Sequence, residues 1–149
     1  MALRLKEREL VAVGASLAAG CKPCADYHVK AAREAKLGDA EIRQAMKVAL
    51  EVRQNALEVM KTYGLQHLGE ALDTPDDSIG ESSRTYELVA VAAAVAANCT
   101  TNLERHLSAA KNLGIRGDEI GDVAKLATFI RGKAASHVEK LVVVEELVQ

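Results

Sequence analysis

The opening of the chain alternates between charged and apolar positions at helical spacing. Across 3–19, Leu10, Val13 and Leu17 share one side while Lys6, Glu7 and Arg8 cluster near the start. A helix is predicted there. Gly20 then interrupts the pattern, Pro23 lies inside the next segment, and a second helix is expected from about Lys22 to Lys36, stopped by Leu37-Gly38. Asp39 is a plausible N-cap for a third helix. That helix is expected from Ala40 to about Tyr63, carried by Ile42, Met46, Ala49, Leu50, Leu57 and Met60, with Gly64 ending or bending it. Leu65 to Leu72 is expected to add a helical turn or two. The stretch DTPDDSIGESS, residues 73–83, is rich in Asp, Ser, Pro and Gly and reads as a linker.

Beyond the linker the chain repeats itself. A shift of 78 residues lays Glu87 to His106, ELVAVAAAVAANCTTNLERH, on Glu9 to His28, ELVAVGASLAAGCKPCADYH, with ten identities in twenty positions. The match continues through Glu41-Ile42 on Glu119-Ile120, Lys47 on Lys125 and Arg53 on Arg131. The expected organisation is a first copy over 1–72, a linker over 73–83 and a second, degenerate copy over 84–149, two uses of one helical unit. Gly20 aligns with Asn98, and these residue types best tolerate a left-handed backbone, so the turn after the first helix is expected to need positive φ in both copies.

Composition sharpens the fold class. Hydrophobic residues make up 49% of the 149 positions, aromatics only 3%, and there is no Trp. Alanine-rich helices packed closely explain this better than strands, so the chain is expected to be all-α. The net charge of -2 offers no basic face for nucleic acid or anionic membrane. With no export signal and no apolar run longer than about half a membrane span, the expected location is the cytoplasm. Flat alanine-rich faces on so small a chain point to a homo-oligomer.

Chemistry concentrates in the first copy. Cys21, Cys24 and His28 fall within roughly 60° of arc on a helix, and side chains lean toward the helix N-terminus, so the His28 imidazole tilts back over the Cys24 turn. A helix N-terminus favours thiolates. An odd count of three cysteines argues against a structural disulfide framework. The spacing suits a redox cycle in which one thiolate attacks a peroxide oxygen or a disulfide sulfur and the second thiol closes the pair. Antiparallel packing of the first two helices lets Glu9 reach His28 but hardly Cys24, which orders the relay as Glu9, His28, Cys24. Dipole logic favours Cys21 as the attacking thiol and adjacency to His28 favours Cys24; adjacency is given the greater weight, leaving Cys21 to resolve.

Competing readings bear on the same residues. Cys21, Cys24 and His28 could hold zinc, with Glu9 or water as fourth ligand, although structural zinc usually recruits a second close pair. A helical assembly module with inert thiols is the non-enzymatic alternative. In the second copy Asn102 replaces Cys24, so Cys99 reads as a small buried residue at a helix junction, and Glu87 with His106 as a hydrogen-bonded structural pair or a vestige. His67 and His137 lack a partner at motif spacing and read as surface or helix-cap residues; Tyr27, beside His28, could line a substrate pocket, but a packed helix residue is the preferred reading.

The pattern of Glu, eleven residues, Cys-x-x-Cys, three residues and His, set in an alanine-rich helical repeat, resembles the carboxymuconolactone decarboxylase and AhpD-like alkylhydroperoxidase family. The resemblance implies an all-helical fold, a redox-active cysteine pair needing no cofactor, and trimers or hexamers of such units. It implies that Glu9, Cys21, Cys24 and His28 form the relay and thiol set, with Cys24 peroxidatic and a small-molecule peroxide or disulfide as substrate. A lactone decarboxylase or isomerase, the other activity in the family's name, would use acid–base groups and has no need of Cys24. Two features depart from the family's alkylhydroperoxidase pattern: Pro23 stands where a histidine lies between the cysteines, and the intact motif is N-terminal.

Overall fold

Two helices with little polar surface form the centre. α1 (Leu5–Ala18) buries Leu10 through Ser16 and Ala18, and α4 (Arg84–Ala96) buries Glu87 through Ala94 and Ala96. A helix that is apolar nearly all round must be covered all round, and each of these is the other's most extensive neighbour. The computed structural model describes residues 2–73 and 82–148, with side chains as far as residue 142. The expected linker, 73–83, falls mostly outside them.

Around that pair lie α2 (Lys22–Glu34), α3 (Asp39–Gln66), α5 (Thr100–Asn112) and α6 (Gly117–Val148). Among the described residues there are six helices and no strand. The two copies of the repeat are helix triplets related by an approximate two-fold arrangement, since each packing pair has its counterpart. α2 packs on α1 as α5 packs on α4. Each long helix packs against both central helices and then crosses to the other copy's short helix, α3 to α5 and α6 to α2.

Small residues let the central helices approach. A Cβ built on Gly14 would lie 2.6 Å from Cγ1 of Val89, itself fully buried in α4, and 3.6 Å from Cβ of Ala49. Alanine is the better helix former by about 1 kcal/mol, but Val89 has one preferred rotamer in a helix and no room to yield. Gly14→Ala is therefore expected to lower stability by about 1–2 kcal/mol, the overpacking cost outweighing the propensity gain. Urea unfolding with an unchanged slope checks it. An ion network ties the N-terminal ends together. Arg84 bonds Glu7 of α1 at 2.8 Å and also Glu119 of α6, holding the Glu119 carboxyl down to about 2.

Three expectations change. α3 runs through the exposed Gly64 to Gln66, since a single glycine costs a helix only about 1 kcal/mol, and the chain turns instead at Gly69 with φ +83°. Leu65 to Leu72 thus adds no separate element. The N-cap of α3 is Gly38; Asp39 lies in the first turn, paired with Arg33 at 3.0 Å.

Candidate active site

The turn after α1 sets the site. Ala19 caps the helix and Gly20 takes φ +70°, while its counterpart Asn98 takes φ +57°. Arg53 of α3 donates to the carbonyl of Ala18 at 2.7 Å, satisfying one of the oxygens left free at a helix end. A Cβ on Gly20 would stand 2.6 Å from that guanidinium. In the second copy Arg131 reaches Val95 O at 3.1 Å and also the Asn98 side-chain oxygen at 2.9 Å. Asparagine thus meets the arginine with its own amide, and both residue types keep the left-handed turn.

Cys21 follows as the N-cap of α2, its sulfur accepting from the Cys24 backbone N–H at 3.3 Å, with Pro23 in the first turn. Cys21 and Cys24 form a disulfide with Cα atoms 5.3 Å apart, and both side chains are nearly enclosed. Cys99 repeats the N-cap in the second copy as a free, buried thiol, accepting from the Asn102 backbone N–H at 3.4 Å and from its Nδ2 at 3.1 Å. The same Nδ2 donates to Asn55 of α3 at 3.0 Å. A helix cap explains this cysteine better than apolar filling alone.

His28 and Glu9 are both partly buried. Burial lowers the His28 pKa below its ordinary 6.5, and the negative charge of Glu9 acts in the opposite direction. Its Nδ1 is shielded from solvent without a hydrogen-bond partner, the one such side-chain atom among the described residues. The second copy is closed where the first is open. There His106 Nδ1 and Glu87 Oε2 are 2.8 Å apart, both side chains almost wholly buried, and Ser82 donates to the other Glu87 oxygen at 2.7 Å. The structural pair expected of Glu87 and His106 is present.

Two placements were not legible from spacing. Tyr27 is exposed, its ring edge-on to His28 at 5.0 Å, because α2 buries only Cys24 and Ala32. His137, about two-thirds of the way along α6, comes to the cysteines. Among the described residues, Cys21, Cys24 and His137 form the one group of three whose potential ligand atoms all lie within 4.8 Å of one another. His28, expected in that role, is not part of it. A groove of about 520 Å³ passes the site, lined by Gly20, Cys21, Pro23, Arg131, His137 and Glu139 among others. A groove of about 600 Å³ along α3, past Leu57 and Met60, is lined by no cysteine. The available signal for His137 was the repeat itself: the shift of 78 lays it on Val59, so the histidine is private to the second long helix.

Among the described residues no helix is long and apolar enough to cross a membrane. No curated protein matches the chain. The model of the carboxymuconolactone decarboxylase family matches residues 2–61 and again residues 68–142, one match for each helix triplet. Repeat, turn and fold agree with that double match, and the chain belongs to the carboxymuconolactone decarboxylase family.

Proposed function

We propose that this chain is a thiol-dependent oxidoreductase that reduces a hydroperoxide or a disulfide, with Cys24 as the attacking thiol, Cys21 as the resolving thiol and Glu9 with His28 as the proton relay. The observation that carries the reading is the Cys21–Cys24 pair, close enough to bond, at the N-terminus of a helix that bears a partly buried histidine one turn farther on. Burial favours the neutral imidazole, the form able to accept a proton. His28 takes the Cys24 proton, and the thiolate attacks the terminal oxygen of the hydroperoxide. The O–O bond breaks, the alkoxide leaves as alcohol with the proton from His28, and Cys24 becomes a sulfenic acid. Cys21 then attacks that sulfur, water departs and the disulfide forms. Two external thiols, or one dithiol, return two electrons and leave as their own disulfide. The N–H donated to Cys21 makes it the better leaving thiolate, so reductant is expected to attack at Cys24.

Mass mapping of thiols after one equivalent of hydroperoxide tests this. The reduced protein is expected to convert to the Cys21–Cys24 disulfide, and Cys21→Ser to accumulate sulfenic acid on Cys24. Oxidation no faster than that of a free thiol peptide, or a sulfenic acid that survives on Cys21 in Cys24→Ser, would sink the assignment.

The relay has its own signature. Protonated imidazole cannot act as base, so the rate is expected to fall as pH drops through the His28 pKa, below 6.5. Glu9→Gln removes the charge that holds this value up and should move the acidic limb to lower pH. A limb that stays in place would show that Glu9 does not act on His28. Exposed Leu50, Leu57, Met60 and Tyr63 on α3, with Val138, Leu141 and Val142 on α6, support assembly with further copies of the chain.

A further inference from the structure

We infer that the reduced thiolates of Cys21 and Cys24 together with the His137 imidazole form a binding site for zinc, and that zinc and the disulfide are alternative states of the same sulfurs. The three ligand atoms lie within 4.8 Å of one another. Two ligands on one tetrahedral zinc stand roughly 3.5 Å apart, given bonds of about 2.0–2.3 Å, so small side-chain rotations suffice.

The donor set has the right chemistry. Thiolate and imidazole are the ligands zinc prefers over magnesium or calcium, which take oxygen. Cys21 is the N-cap of α2, with a backbone N–H on its sulfur, and Cys24 lies in the first turn, and this placement favours the ionised thiols that metal requires. His137 arrives from α6. Three protein ligands leave a fourth position for water, the arrangement of an open site rather than a sealed structural one. Each zinc that binds displaces two thiol protons. The disulfide has no thiolate to offer, so the oxidised protein releases the metal. The site differs from one built on the motif alone in taking its histidine from the other copy's long helix, and it does not rest on the peroxide reading.

Zinc titration of the metal-free, reduced full chain against a chromophoric chelator tests it, with cobalt as a spectroscopic stand-in. The expected result is one zinc per chain, a thiolate-to-cobalt charge-transfer band, and neither after oxidation with diamide. His137→Ala should weaken zinc binding by about 100-fold or more, since a direct ligand outweighs the outer partners whose loss already costs 10–100-fold. Circular dichroism confirms that the variant is folded. His28→Ala, which removes no member of the ligand group, should weaken zinc binding by less than His137→Ala does. Reduced protein that binds no zinc, or His137→Ala binding as tightly as the parent, overturns the inference. So does a loss confined to His28→Ala. Hydroperoxide reduction measured in chelator tests the thiol chemistry separately, so either reading can fail alone.

Discussion

Cys24→Ser is expected to lower the steady-state rate of hydroperoxide or disulfide reduction by at least about three orders of magnitude, within the roughly 10⁶-fold loss known for removal of a covalent nucleophile. Serine at position 24 would retain the shape of the helix start but ionises far too weakly to attack. Cys21→Ser should behave differently. Its first oxidation proceeds at Cys24, but no disulfide closes and multiple turnover stops, so a single-turnover burst survives while the steady state is lost. Cys99→Ser provides the control. Cys99 caps α5 through its sulfur, and serine is among the best residues for that position, so fold and rate should both persist. Stopped-flow and steady-state assays of the three variants with excess reductant separate these outcomes.

The largest expected loss of stability lies in the copy that lacks the second thiol. His106→Ala leaves the fully enclosed Glu87 side chain with Ser82 as its remaining partner among the described residues, and leaving a buried acceptor unsatisfied costs about 3 kcal/mol. That is a large share of the roughly 5–15 kcal/mol that holds a domain together. His28→Ala, at the matching position of the first copy, removes a partly buried ring whose Nδ1 has no partner, and should cost about 1 kcal/mol. Urea unfolding of both variants checks the contrast. Equal losses would mean that the two histidines are held alike.

Much of this architecture was legible in the sequence because local chemistry decided it. Gly20 and Asn98, aligned by the repeat, announced a left-handed turn, and both take positive φ. Pro23 announced the first turn of α2, and the cysteines lie at that helix's N-terminus. Periodicity fails where an element meets the other copy. Gly64 is a separate case: it lies exposed with nothing packed near it, and one glycine costs a helix too little to end it. His137 is 113 positions from Cys24 along the chain, and its place follows from α6 crossing to α2. No spacing rule carries that distance. Tyr27 was misjudged for the same reason: which side of α2 is covered depends on its neighbours, and they leave that ring exposed.

The crossing of α3 and α6 binds the fates of the two copies. A change near position 137 bears on the sulfurs of the first copy, and one near Asn55 bears on the enclosed Asn102 of the second. Neither half can drift without disturbing its sibling's turn. The copy with one cysteine still shapes the two-cysteine site, because its longest helix forms one wall of the groove beside that pair.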